Sequence, residues 1–248
     1  MKALNCLSKE SLNLLNRNRL LPQLVKAEIE RNELLNIELD AELKSTIKKK
    51  FLEKSGIKNA EEELIWLKNN NVDVSDFEYF IFKEEKLKVY FESKFSNKAE
   101  SHFLKRKKDL DIVIYSLIRV QDVHKANELY LRIIEEQANF SDLAFAYSEG
   151  IEKNTRGIIG PCPIGSAHPD LAQHIRSIKP GEVKPPILIS GSYLIIRVEN
   201  FMPAKLDNFM RAKMAKELYN SWLKEEARQS TKKLMEQKNV SVEKSNAQ

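Results

Sequence analysis

The sequence predicts an α+β protein: helical regions at both ends of the chain, with a small domain of mixed strands and helices between them. Three observations carry this. Glycine and proline are segregated, with only Gly56 and Pro22 before residue 150, then six glycines and seven prolines from Gly150 to Pro203. Helix interiors tolerate neither residue, while turns and short strands use both. At Asp111 the apolar spacing changes from a helical period to a continuous β-branched run, Asp111-Ile-Val-Ile-Tyr-Ser-Leu-Ile-Arg-Val120, as in a buried strand. Beyond Pro203 the helical period returns. The expected division is therefore 1–108, 109–203 and 204–248.

Each element has its own local reason. Pro22 suits the first turn of a helix carrying Leu24, Val25, Ile29 and Leu34. Asn59 with Glu62 caps a helix holding Leu64, Ile65 and Leu67. Ser75 with Glu78 forms a capping box, with Val74 stapled onto Tyr79, at the start of a long helix whose Phe77, Phe80, Ile81, Phe91 and Phe95 face a core. The basic run 105–108 reads as a solvated linker. After the strand, Asp122 caps a helix with Ala126, Leu129, Tyr130 and Ile133 in register, and a shorter helix carries Phe140, Leu143, Ala144 and Tyr147. Residues 157–160 form a short edge strand, a helix covers Leu171 to Ile178, and a hairpin from Ile187 to Val198 turns at 190–192. The resulting order is β-α-α-β-α-β-β. Asp207 caps a last helix whose Leu206, Phe209, Met210, Met214, Leu218, Trp222 and Leu223 make a stripe that must pack on something, and the helical first domain is the expected partner.

Composition narrows the function. Apolar residues are 42% and charged residues 31% of 248, a globular balance. The net charge of +5 is small, and its basic residues are interleaved with acidic ones, so no nucleic-acid partner is expected. No stretch approaches the ~20 apolar residues of a membrane span, so no membrane insertion is expected. The opening MKALNCLSKE has no apolar signal core, and Cys6 and Cys162 make no disulfide framework, which together point to the cytoplasm. Phosphate-binding, dinucleotide-binding, zincin and nucleophile-elbow motifs are missing. His102, His124, His168 and His174 lack metal-ligand spacing with the cysteines, and no cofactor is expected.

Four blocks remain, in order along the middle of the chain: Ala138-Asn-Phe-Ser-Asp-Leu-Ala-Phe-Ala-Tyr-Ser148, Gly157-Ile-Ile-Gly160, Ile178-Lys-Pro-Gly-Glu-Val183 and Tyr193-Leu-Ile-Ile-Arg-Val198. They resemble the Phe-Leu-Ala-Tyr-Ser helix, the Gly-Asp-Leu-Gly turn, the Leu-Lys-Pro-Gly-Glu-Val helix end and the last strand of parvulin-type peptidyl-prolyl isomerases. More loosely, the flanking helices resemble the helical part of parvulin chaperones and of cyanobacterial export-associated parvulin-like proteins. The resemblance implies a peptidyl-prolyl cis-trans isomerase acting on proline-containing, unfolded or export-bound polypeptide, with a secretion system as a further partner.

It also implies a site. The family's catalytic positions fall on Ser116, Gly150 and Leu194 in place of His, Cys or Asp, and His, so one hydroxyl is left of the polar cluster. The proline pocket falls on Ile159, Ala167 and Leu171. Cys162 stands at its rim, His168 at the entrance to the pocket helix, and Tyr193 on the last hairpin, where it either bonds across the strands or only packs. Glu149 adjoins the substituted Cys/Asp position. Isomerisation needs grip on the X-Pro bond and donors near its carbonyl, against a barrier of ~18–20 kcal/mol. Weak activity, or polypeptide binding without catalysis, is what these substitutions lead one to expect.

Overall fold

A computed structural model describes residue 4 and residues 6–245, with side chains as far as residue 237. The chain forms two compact units, 1–102 with 207–248, and 103–206.

The first unit is helical. Its elements are α1 (Lys9–Arg17), α2 (Leu21–Leu34), α3 (Ala41–Lys54), α4 (Ala60–Asn69), most of α5 (Val74–Leu110) and α9 (Asn208–Ser245). Leu21, Val25, Ile29 and Leu34 of α2 pack with Tyr90 of α5 and with Tyr219, Leu223, Ala227 and Leu234 of α9 in one core. The C-terminal helix thus completes the helical domain, as its apolar stripe required. The Tyr219 hydroxyl donates to Glu30 at 2.7 Å and the Tyr90 hydroxyl to Glu33 at 2.7 Å, so both phenols reach this core with their polar ends satisfied.

Several local expectations need correcting here. The cap of α5 is Asp73, whose carboxylate accepts from the Asp76 N–H at 2.8 Å, so Ser75 and Glu78 lie inside the first turns and make no box. Val74 is exposed and makes no staple. The run 105–108 is no loop: α5 continues to Leu110, because lysine and arginine are good helix formers and nothing breaks the segment. Phe80, Leu64, Ile65 and Phe209 are largely exposed rather than core. Their helices are short of neighbours on that side, and a periodic stripe says nothing about how many neighbours a helix has.

The second unit contains β1 (Ile112–Val120), α6 (Val123–Ile134), α7 (Phe140–Tyr147), β2 (Ile158–Pro163), α8 (Pro169–Ser177), β3 (Val183–Ile189) and β4 (Ser192–Met202), in the expected β-α-α-β-α-β-β order. The four strands form an antiparallel sheet in the order β2-β1-β4-β3. Asp122 caps α6 by accepting from the Lys125 N–H at 2.8 Å. Both edge strands carry prolines, Pro161 and Pro163 in β2 and Pro185 and Pro186 in β3, where a missing donor costs least.

The central strands are apolar on both sides, so two cores form. Val113, Tyr115 and Leu117 of β1 join Leu194, Ile196 and Val198 of β4 under α8. Ile118, Val120 and Ile195 face α6 and α7 with Ala126, Leu129 and Phe140. Asp111 anchors the start of β1 by accepting from the Ala204 N–H at 2.8 Å, while its carbonyl accepts from Ile164 at 2.8 Å.

Candidate functional site

The α8 face of the sheet gathers most of the expected site. Leu171 and Leu194 are buried in that core, and Ile159, Cys162 and Ala167 are half-buried against it. Ile159 is the cross-strand neighbour of Tyr115, and Cys162 of Val113. The expected pocket residues therefore pack in one apolar cluster, with Leu171 and Leu194 at its buried base. His168 caps α8, its ring accepting from the Asp170 N–H at 3.4 Å, with the Ser190 hydroxyl also at 3.4 Å. It is exposed at the margin of this face.

Two expected members lie on the opposite side. From Tyr115 onward β1 alternates regularly, so Ser116 shares the α6–α7 face with Ile118 and Val120, whereas Leu194 points to α8. Ser116 donates to Glu199, which also accepts from Arg197 Nε at 2.7 Å, and the Arg197 guanidinium stacks 5.0 Å from the Phe140 ring centre. That hydroxyl serves a polar cluster over α7 and does not face the pocket. Tyr193 also packs against the α6–α7 core. Ser116 and Leu194 therefore cannot act on one ligand. The residue paired with Leu194 across the β1–β4 ladder is Arg119, on the pocket face.

The polar groups on that face lie outside the catalytic positions that the family motifs mark. Gly150 precedes a short 3-10 turn over Ile151–Thr155. A Cβ built on Gly150 would lie 2.2 Å from Glu152 Oε2, so the carboxylate of Glu152 fills the space that a side chain at 150 would take. Glu152 is buried and accepts from the Ser148 hydroxyl at 2.7 Å, and its Oε1 lies 3.7 Å from Arg119 Nε. The Ser148 oxygen accepts in turn from the Arg119 N–H at 3.0 Å. Glu149 points elsewhere and accepts from the Gln121 N–H at 3.0 Å.

Tyr115 completes the group. It is buried and makes no hydrogen bond among the described residues, yet no fully buried side-chain oxygen or nitrogen among them lacks a partner, so its hydroxyl opens on solvent. Burial, with Cys162 and Glu152 nearby, pushes its phenol up to about 12. The signal for Glu152 was a glycine at the Cys/Asp position followed two residues later by a carboxylate. For Arg119 it was a lone cation in an apolar strand. Among the described residues no His, Cys, Asp and Glu cluster fits a metal, and no helix is long and apolar enough to cross a membrane.

Residues 119–200 match the family model described as Rotamase, PPIC-type PPIASE domain. This segment is similar to parvulin-type rotamase domains. The match begins at Arg119 and leaves Ser116 outside it. No curated protein sequence matches the chain.

Among solved structures, peptidylprolyl isomerase PrsA from Bacillus cereus is 18% identical, with 93% of this chain and 88% of that chain covered and a TM-score of 0.48. PrsA from Bacillus anthracis is 19% identical, with 87% and 95% covered and a TM-score of 0.40. The parvulin domain of PpiD from E. coli is 21% identical, with 40% of this chain and 95% of that domain covered and a TM-score of 0.34.

Proposed function

We propose that the protein binds proline-containing segments of unfolded or export-bound polypeptide through the rotamase domain and isomerises the X-Pro bond slowly. The observation that carries this is the common face of Ile159, Cys162, Ala167, Leu171 and Leu194 within a domain of this family. An apolar surface of that kind takes up a proline ring by excluding water, and the grip favours a twisted bond over a planar one only where donors meet the carbonyl. Leucine at 194 offers none, and Ser116 faces away. Slow turnover follows. The two cysteines keep the cytoplasm as the expected compartment, and a secretion system is the expected destination of exported clients.

The test is a protease-coupled isomerisation assay on a panel of X-Pro peptides. A rate above the uncatalysed one, yet far below the ~10⁷ M⁻¹s⁻¹ of efficient enzymes, is the expected result. A kcat/KM in that efficient range would refute slow turnover. A second reading, binding without isomerisation, is favoured by Leu194 alone. It predicts a flat isomerisation assay together with suppressed aggregation of an unrelated unfolding protein.

A further inference from the structure

On the reading above, the rotamase domain grips the X-Pro bond but has lost the polar side chains its family places there. The structure supplies others from neighbouring positions. Gly150 leaves a space, Glu152 reaches back two residues to fill it, and Ser148 holds the carboxylate at 2.7 Å. Its side chain is 1% exposed, whereas that of its ion-pair partner Arg119 is 45% exposed. A guanidinium carries five N–H donors in a rigid fork. One edge of Arg119 is turned to Glu152, and the rest is open on the face that holds Leu194 and Tyr115. A buried carboxylate needs such a partner, since an unpaired charge there is costly. The pair therefore fixes an exposed donor at the edge of an apolar surface.

We propose that Arg119 and Glu152 form the polar half of the peptide site. Arg119 donates to a carbonyl oxygen of the bound chain beside the proline, and Glu152 is the positioning residue that holds the guanidinium there. Because Glu152 balances its charge, Arg119 acts as a hydrogen-bond donor rather than as an attractor of acidic residues. Of the neighbouring cations, Arg156 is balanced by Asp142 at 3.0 Å, and Lys153 is turned to the Ala146 carbonyl at 3.2 Å. The ligand class is thus a neutral X-Pro segment.

The test uses the full chain, an Ala-Pro peptide and a Glu-Pro peptide, with affinity and isomerisation rate both read by exchange NMR. R119Q is expected to lower affinity and rate by about ten-fold each, a loss typical of one charge-assisted bond. R119K recovers little, because lysine lacks the planar fork. E152Q keeps an acceptor for Ser148 and lowers both readouts in the wild-type background, but has no further effect in R119Q, since it acts through Arg119. G150A, which retains both charged residues and displaces the carboxylate, reproduces E152Q. That variant decides the matter if E152Q does not fold. The two wild-type affinities agree within about two-fold, which is within ~0.4 kcal/mol.

R119Q binding and turning over like wild type would overturn the assignment while leaving the proposed function standing. Full additivity of E152Q with R119Q, or a ten-fold preference for Glu-Pro, would overturn it as well. A wild-type protein that neither binds nor isomerises either peptide overturns the functional reading and this one with it.

Discussion

The Tyr219 hydroxyl donates to Glu30 at 2.7 Å, joining helices far apart in sequence, and Lys83 pairs with the same carboxylate. Replacing Tyr219 with Phe removes the donor and leaves Glu30 paired with Lys83. A loss of about 1.5–2 kcal/mol is expected, at the lower end of the range for a hydrogen bond to a charged group. Urea unfolding followed by helical circular dichroism measures it, and an unchanged midpoint would show that the bond is idle.

Removing everything after Pro203 has a larger effect. Met214, Tyr219, Leu223 and Leu234 are all buried, and each large apolar side chain contributes roughly 1.5–3 kcal/mol. Amide exchange in the truncated protein should speed up over α2 and around Tyr90, while 112–200 stay protected. Retained protection in α2 would contradict the packing described for α9.

Leu171 is 6% exposed in the pocket-face core. Substituting Asp places an unpaired charge there, which is costly. Affinity for a proline-containing peptide should fall at least ten-fold, about 1.4 kcal/mol. Calorimetry on a variant shown to be folded reads this, and unchanged affinity would remove Leu171 from the peptide site.

Alkali should loosen the protein in a defined window. Burial holds the Tyr115 phenol up to about 12, and burial with a carboxylate neighbour raises Tyr90 and Tyr219 as well. A phenol whose folded pKa lies above its unfolded value of ~10 contributes fully below pH ~10. Above that the unfolded chain releases its proton first, so stability falls as pH climbs from about 10 towards 12. Phenolate absorbance near pH ~11 should show these three of the seven tyrosines still protonated in the folded protein. Normal titration of all seven would contradict it.

Much of the fold was legible because single residues announce it. Asp122, Asn59 and Asp207 read as caps and act as caps, with accepted bonds of 2.8, 2.9 and 2.7 Å. The concentration of glycine and proline in the middle of the chain reported the sheet. At α5 two capping patterns competed within a few residues, and the outer one, Asp73, leaves more of the segment helical. The orientation of β1 was not legible, since a strand apolar on both faces gives no amphipathic sign of which residues share a side. For that reason Ser116 and Leu194 read as one cluster and prove to be two. Glu152 escaped notice because a side chain that fills its neighbour's space is a property of the turn, and spacing rules compare residues with their own kind.

On the proposed function, the prolines at both margins of the sheet bear on how a client would be handled. A domain that meets unfolded chains is surrounded by segments eager to dock as an extra strand. Such docking reads only main chain, so it is indifferent to sequence and slow to reverse. Pro161 and Pro163 on one side, with Pro185 and Pro186 on the other, withdraw donors that such a strand would need. What would remain is contact through side chains at the pocket face, which is local and readily released. The same interruption would hinder two copies of the domain from zipping together edge to edge.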